Sequence, residues 1–154
     1  MRITTNISSG IYILEIYSRK KFGVNHPKFE KVNFAGGYYY YIGSAQKNFI
    51  SRINRHLSSK KKLRWHIDYL LDSENCTVKK VYAIENNSKN LECELVGKIS
   101  SSIDIITHIN GFGNSDCKKC KSHLIYSKTK INYSHFCSLY QATVCLIPSS
   151  KEIS

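Results

Sequence analysis

The sequence has few acidic residues, no long apolar run and no repeated or low-complexity segment. Its 11 Asp and Glu residues are outnumbered by 23 Lys and Arg, which gives a formal net charge of +12 and a pI near 9.5. No apolar run is long enough to span a bilayer, and the amino terminus lacks a signal-peptide pattern. These absences argue against a membrane or secreted protein. We therefore expect a soluble, cytoplasmic protein without a membrane partner. The sequence does not define the oligomeric state, and a monomer is assumed.

The chain length and the cysteine content limit the role that metal can have in folding. With 154 residues, the chain can bury a core without disulfides or structural metal. In a reducing compartment its six cysteines are expected to be thiols or metal ligands. Cys117, Cys120 and His123 have a spacing that could supply three zinc ligands, but one C-x2-C pair is only half of a zinc site. The candidates for a fourth ligand are Cys76, Cys93 and His66. Zinc is therefore an alternative and not the expected cofactor.

The positive charge is concentrated in two segments. Residues 47–64 contain no Asp or Glu and carry Lys47, Arg52, Arg55, Lys60, Lys61, Lys62 and Arg64. A second basic group lies within residues 118–130. Surface lysines often serve only solubility. Because the first segment directly follows a run of tyrosines, we instead expect nucleic acid as the partner, and DNA rather than RNA.

Aromatic and β-branched runs predict the strands of a sheet. The predicted strands cover residues 10–17, 29–34, 38–42, 77–85 and 123–126. In the first strand, Tyr12, Leu14 and Ile16 share one face. The first three strands follow one another with short connections, which predicts an antiparallel meander.

A basic helix is predicted directly after the tyrosine strand. Asn48 is the expected N-cap, and the apolar stripe of the helix consists of Phe49, Ile50, Ile53 and Leu57. Arg52 and His56 lie at the edge of this stripe. These two polar side chains are therefore expected to face a cleft beside the core. A short helix is also predicted over residues 65–71.

A further helix, predicted to begin at Ser88 or Asn90 and to run through residues 91–99, carries a carboxylate within its apolar face. Glu92 projects from the middle of that face, whereas Glu94 lies at its margin. An ionised carboxylate is costly to bury without a partner, so Glu92 needs a cation, a hydrogen-bond network or a raised pKa. A catalytic or metal-binding role is expected, and a structural Arg or Tyr partner is the alternative.

Several motifs together resemble those of the GIY-YIG nuclease superfamily. They are GIY at residues 10–12, YIG at residues 41–43, Arg52 and His56 in the next helix, and Glu92. The segments YIGSA, RWHIDYLL and GFGNSDC resemble more closely an uncharacterised branch of that superfamily. This branch is a domain of unknown function that is sometimes fused to endonuclease III-like DNA glycosylases. The resemblance covers about residues 10–126.

The resemblance implies an α/β (α+β) fold with a small central antiparallel sheet of three strands flanked by helices. We assign this domain to residues 1–127 and treat residues 128–154 as a tail that either stands apart or packs on the same domain. The implied activity is that of an endonuclease that hydrolyses phosphodiester bonds with Mg²⁺ or Mn²⁺. A nucleic-acid-binding module that does not cut and a purely structural interaction domain are the alternatives.

Position by position, the resemblance also implies roles for individual side chains. Tyr12 would activate or position the attacking water, and Tyr41 would orient the phosphate or support the nucleophile. Arg52 would stabilise the developing phosphate charge, and His56 would relay a proton or anchor phosphate. Glu92 would hold the metal ion. Both Glu92 and the nearby Glu94 can be aligned with the family glutamate, and the helical face favours Glu92. The connection between Tyr12 and Tyr41 is longer than the hairpin common in that superfamily, so substrate access is expected to differ.

Overall fold

The computed structural model describes residues 1–86, 90–102, 107–113 and 122–149. Its strands are β1 (Gly10–Ser18), β2 (Gly37–Ala45), β3 (Cys76–Glu85), β4 (Thr107–His108), β5 (Leu124–Ser127) and β6 (Val144–Leu146). Its helices are α1 (Phe49–Leu57), α2 (His66–Leu71), α3 (Asn90–Ser102) and α4 (Tyr133–Leu139). No helix in these ranges has the length and apolar character needed to cross a membrane.

The sheet is built around β1. This strand pairs antiparallel with β2 on one side and with β3 on the other. The order across the described part of the sheet is β4-β5-β2-β1-β3-β6, so the expected three-stranded sheet is wrong and six strands are present. Short strands extend the sheet at both edges, because β5 pairs with β2 and β6 pairs with β3. The expected α/β architecture, an antiparallel sheet flanked by helices, is confirmed.

Helices cover both faces of the sheet. Alternation along β1 sends Tyr12, Leu14 and Ile16 into one apolar cluster, which also contains side chains of α1 and α2. Ile11 and Ile13 point into the other cluster, with side chains of α3 and α4. Because both faces are covered, every residue of β1 except Tyr17 is buried. The central strand therefore carries side chains to two cores.

Most predicted elements are found, but one predicted strand is wrong. The strands at 10–17, 38–42 and 77–85, the strand near 123–126 and the helices at Phe49, 65–71 and 91–99 correspond to described elements. The segment 29–34 forms turns, and only Phe34 makes an isolated bridge, to Phe22. Pro27 begins the turn region, and Phe29 and Phe34 are buried without continuous strand pairing. The expected meander is replaced by a β2-β1-β3 arrangement.

The C-terminal segment packs on the sheet. Strand β6 extends the sheet beside β3, and Phe136 of α4 is 1 % exposed within the second core. The Tyr40 hydroxyl accepts the backbone N–H of Ile131 at 2.8 Å and donates to the buried carboxylate of Glu15 at 3.0 Å. These contacts join residues 131–146 to β2 and β3, two inner strands of the described sheet.

Candidate functional site

A tight connection between β2 and α1 brings strand and helix residues together. Asn48 precedes α1 as expected, but its side chain makes no capping hydrogen bond. Instead its backbone adopts the left-handed conformation, with φ 54°, which asparagine tolerates better than most residues. The connection places Tyr41 on the strand beside Arg52 and His56 on the helix.

A cleft of about 260 Å³ opens beside this connection. It is lined by Tyr12, Tyr41, Gly43, Ser44, Arg52, Arg64, Trp65, His66, Glu92 and Gly113. The lining thus holds two guanidinium groups and one carboxylate. Four of the five residues proposed from sequence line the cleft, and the fifth, His56, lies behind it against Tyr12.

Tyr12 and His56 form a buried pair at the base of the cleft. The Tyr12 hydroxyl lies 2.8 Å from His56 Nε2, and each residue is 2 % exposed. Burial lowers the pKa of His56 to about 3, so the imidazole is neutral near pH 7. Burial also raises the pKa of Tyr12 well above its usual value, and the neighbouring Tyr41 adds to this increase. The hydrogen bond therefore joins a neutral phenol to a neutral imidazole.

Gly43 makes room for the Tyr12 ring. A Cβ atom at position 43 would lie 2.5 Å from both the Cζ and the hydroxyl oxygen of Tyr12. Residues 12 and 43 are direct partners in the β1–β2 ladder, so the ring crosses over the glycine. The glycine of the YIG tripeptide thus has a steric purpose in this fold.

Tyr41 lies next to Tyr12 on the same face of the sheet. The two ring centroids are 6.5 Å apart, and Tyr41 also contacts the ring of Phe112. Burial raises the pKa of Tyr41, and the carboxylates of Glu92 and Asp68 raise it further. Tyr41 is therefore a neutral hydroxyl at physiological pH.

Arg52 and Glu92 are joined through Ser44 at the end of β2. Arg52 Nη1 donates to the Ser44 carbonyl at 3.0 Å, and the Ser44 hydroxyl donates to Glu92 Oε2 at 2.7 Å. Glu92 Oε1 lies 2.6 Å from His123 Nδ1. The Glu92 side chain is 18 % exposed and faces the cleft, whereas Glu94 is exposed on α3. The helical-face argument thus identified the glutamate that reaches the cleft.

The loop before α2 is held by one buried carboxylate. Asp68 is fully buried and forms a two-pronged ion pair with Arg55, with distances of 2.9 Å and 3.0 Å. It also accepts the backbone N–H groups of Arg64 and Trp65. Burial raises the pKa of Asp68, but these hydrogen bonds outweigh burial and leave the pKa below its usual value. Asp68 therefore fixes the side of the cleft that carries Arg64 and Trp65.

Several cleft residues were not proposed as site residues from the sequence. His66 accepts the backbone N–H of Gly113 at 3.0 Å, and burial lowers its pKa. His123 was considered only as a zinc ligand, yet it contacts Glu92. Arg64 is the last residue of the basic segment 47–64, and Trp65 follows it directly. This segment was the sequence signal that could have indicated both residues. Ser44 follows the YIG tripeptide directly.

The zinc alternative involves residues that lie partly outside the described chain. Cys117 and Cys120 fall within residues 114–121, which are not among the described residues. Among the residues that are described, no group of three or more His, Cys, Asp or Glu side chains is arranged to hold a metal ion. The described cysteines are Cys76, Cys93, Cys137 and Cys145, and no two of these four are joined by a disulfide.

Comparison with known protein families gives a match over most of the chain. The sequence model of a family described as a domain of unknown function, DUF123, matches residues 11–144. The match includes β1 from Ile11 onwards, the cleft residues named above and the C-terminal segment as far as Val144, the first residue of β6. Searches of curated proteins and of solved structures returned no match.

Proposed function

Since the chain belongs to the DUF123 family, whose function is unknown, we propose a function from its cleft: a divalent-metal-dependent endonuclease of the GIY-YIG type that hydrolyses phosphodiester bonds, with DNA as the expected substrate. The observation that supports this proposal most is the convergence of Tyr12, Tyr41, Arg52 and Glu92 on one cleft, with His56 directly behind Tyr12. These side chains come from two strands and two helices. A combination of guanidinium, phenol and carboxylate groups suits phosphoryl chemistry.

The two arginines are suited to bind the phosphate. Arg52 and Arg64 line the cleft of a chain whose net charge is +12. One donor of Arg52 is occupied by the Ser44 carbonyl, which fixes the direction of the guanidinium. A guanidinium that is held in place can stabilise charge that develops on a phosphoryl oxygen, and it does not have to reorganise during the reaction.

Tyr12 is suited to position the attacking water. Its hydroxyl lies 2.8 Å from His56 Nε2, and a phenol can both donate and accept hydrogen bonds, so it can also contact a water molecule. Because burial keeps the pKa of Tyr12 high, the phenol acts as an oriented neutral hydroxyl and not as a standing phenolate. His56 fixes the position of that hydroxyl.

Tyr41 supports the same centre from the neighbouring strand. Its ring lines the cleft beside Tyr12, and its neutral hydroxyl can donate a hydrogen bond to a phosphoryl oxygen. Tyr41 and Glu92 both line the cleft, and the negative charge of Glu92 adds to the effect of burial in raising the pKa of Tyr41.

Glu92 fits the requirements of a magnesium or manganese site. Mg²⁺ is commonly held in enzymes by one or two carboxylates, with water and substrate phosphate as its other ligands. Glu92 supplies a carboxylate at an open cleft, and Ser44 and His123 each hold one of its oxygens in place. A bound ion would supply Lewis-acid stabilisation of the phosphate. Ser44 and His123 are thus positioning residues for Glu92.

The proposal is tested with purified protein and four substrates: plasmid, branched DNA, single-stranded DNA and structured RNA. Each is incubated with Mg²⁺, with Mn²⁺ or with chelator. We expect that cutting requires the metal ion. Tyr12→Phe and Arg52→Ala should each reduce the rate of cutting by about a hundredfold. Tyr17→Phe removes a hydroxyl from the other end of β1, and Lys79→Ala removes an exposed charge on β3 beside Tyr17. Both control variants should cut normally.

The same panel distinguishes the proposal from its alternative. If no substrate is cut in any metal, or if Tyr12→Phe and Arg52→Ala cut like the wild type, the nuclease proposal is wrong. Salt-sensitive binding without cutting would instead indicate a binding module, because phosphate contacts weaken steeply as salt is added.

A further inference from the structure

Trp65 lies at the mouth of the cleft as an exposed aromatic ring. It is the single tryptophan of the chain, it lines the cleft, and 40 % of its surface is exposed. Large aromatic residues bury much apolar area when they are covered, so an exposed tryptophan beside a polar cleft needs a reason. The local reason is a cation–π contact, since the guanidinium of Arg55 lies 4.5 Å from the ring centroid and that of Arg52 lies 5.2 Å away.

These contacts hold the ring in one position and leave 40 % of the residue's surface exposed. Asp68 binds the Arg55 guanidinium at both nitrogens and also accepts the Trp65 backbone N–H. Arg55 donates in addition to the Lys62 carbonyl, so its plane is fixed. A ring that is already ordered loses little conformational entropy when a ligand stacks on it.

Arg52 connects the exposed ring to the phosphate site. Its guanidinium contacts the Trp65 ring and also the Ser44 carbonyl, and the Ser44 hydroxyl bonds Glu92. In a nucleotide, one sugar separates the phosphate from the base. A phosphate held by Arg52 would therefore bring its base, or that of the adjacent nucleotide, to Trp65.

We infer that Trp65 stacks on an unpaired nucleobase next to the phosphate that is cut, so the substrate class is nucleic acid with a single-stranded or unpaired nucleotide at the cleavage position. This inference rests on the proposed function. In a continuous duplex both faces of each base are covered by neighbouring bases, and a ring fixed in a cleft cannot stack on them. Stacking of bases on an aromatic side chain tolerates any sequence, because every base has a π-face.

Trp65 itself provides the signal that tests the inference. Its fluorescence is measured in chelator, so nothing is cut, while the protein is titrated with oligonucleotides whose binding is followed separately by anisotropy of an end label. Three probes are compared: a single-stranded oligonucleotide, the same oligonucleotide with abasic sites throughout, and its blunt duplex. We expect quenching by the first probe and little or none by the other two at equal occupancy.

Two variants test how much the same contact contributes to binding affinity. Trp65→Leu keeps an apolar side chain but removes the π-face, and it should weaken binding of the single-stranded oligonucleotide by about tenfold. Binding of the duplex and of the abasic strand should change little. Trp65→Tyr restores a stacking ring and should recover most of the lost affinity. Circular dichroism checks that each variant is folded. If a variant is not folded, the fluorescence titration of the wild-type protein tests the stacking inference by itself.

The outcomes separate this inference from the proposed function. Equal quenching by duplex and single strand, quenching by the abasic strand, or absence of binding by all three probes would overturn the inference. Metal-dependent cutting without base-dependent quenching would leave the nuclease standing and remove the stacking site. Base-dependent quenching in a protein that cuts nothing would support the stacking site and contradict the nuclease proposal.

Discussion

At the scale of residues, the cleft depends on the hydrogen bond between Tyr12 and His56. Both side chains are buried, and each pKa is shifted towards the neutral form. The pair is therefore uncharged when the protein is folded near pH 7. The hydrogen bond fixes the two neutral groups relative to each other, and Tyr12 lines the cleft where a ligand would bind.

The lowered pKa of His56 makes a prediction about acid stability. Burial takes this pKa to about 3, whereas the unfolded chain titrates near 6.5. Between these values the unfolded state binds more protons, so the free energy of unfolding falls as the pH falls through this window. His56→Gln keeps an acceptor for Tyr12 but does not titrate. From about pH 7 to about pH 5, the wild type should lose about 2 kcal/mol more than the variant.

This difference is measured by urea unfolding of both proteins at the two pH values. Equal losses in the wild type and in His56→Gln would mean that His56 is not held neutral in the folded protein.

Gly43 gives a steric prediction at the same scale. Gly43→Ala would place a methyl group 2.5 Å from the Tyr12 hydroxyl oxygen and should destabilise the fold by about 1–3 kcal/mol, while moving the ring in the cleft. Gly97→Ala is the matched control, because Gly97 lies in α3 with open space around the added methyl. It should be neutral or stabilising by up to about 1 kcal/mol. Thermal unfolding that ranks the two variants the other way would contradict this account of Gly43.

At the scale of elements, a single carboxylate organises the connection between α1 and α2. Asp68 on α2 binds Arg55 on α1 and the two backbone N–H groups that precede α2. The connection contains three consecutive lysines, Lys60 to Lys62, whose positive charges repel one another. The side of the cleft that carries Arg64 and Trp65 thus depends on α1 and α2 keeping their relative position.

Removing the charge of Asp68 should therefore be costly. Asp68→Asn leaves Arg55 without its partner and weakens two backbone hydrogen bonds, so we expect a loss of about 3 kcal/mol in the free energy of unfolding. Asp72→Asn changes an exposed carboxylate at the end of the same helix and should alter stability by less than about 0.5 kcal/mol. Denaturant unfolding that gives equal, small losses for both variants would contradict the anchoring role.

The elements also mark where sequence alone was sufficient. Strands β1, β2 and β3 could be predicted because local preference and burial agree in their aromatic and β-branched runs. The segment 29–34 has similar composition but turns, because its phenylalanines fill a core from a loop. The strand order could not be predicted, since pairing of β1 with both neighbours is decided by contacts far apart in sequence.

The cleft was predictable to a similar degree. The helical face separated Glu92 from Glu94 because the period of a helix determines which side chain points inward. The contact between Glu92 and His123 could not be read from the sequence, because it depends on how α3 packs beside the segment that precedes β5. The exposure of Trp65 likewise depends on the ion pair between Arg55 and Asp68.

At the scale of the whole molecule, the two faces of the sheet have different tasks. The face with α1 and α2 carries the cleft residues Tyr12 and Tyr41. The other face packs α3 and α4 against the sheet, and it buries the side chains of Tyr40, Tyr82 and Phe136. Helix α3 links the two, because its apolar face lies in the second core while Glu92 reaches the cleft.

If the second core is part of one cooperative unit, a change in α4 should destabilise the entire domain. Phe136→Ala should lower the free energy of unfolding by about 3–5 kcal/mol, because it leaves a cavity between Tyr40 and Tyr82. Ser138→Ala alters an exposed residue of the same helix and serves as the control. In urea we expect one transition at a lower midpoint for Phe136→Ala. An unchanged main transition would mean that α4 unfolds separately from the sheet.

The account of the cleft is tested most directly by comparing Glu92→Gln with Glu94→Gln in a cleavage assay with Mg²⁺ or Mn²⁺. The two positions lie on the same helix, but only Glu92 lines the cleft. We predict that Glu92→Gln cuts at least about a hundredfold more slowly than the wild type while it still binds substrate in chelator, and that Glu94→Gln cuts normally. Equal cutting by the two variants, or a wild type that cuts nothing, would contradict the proposed site.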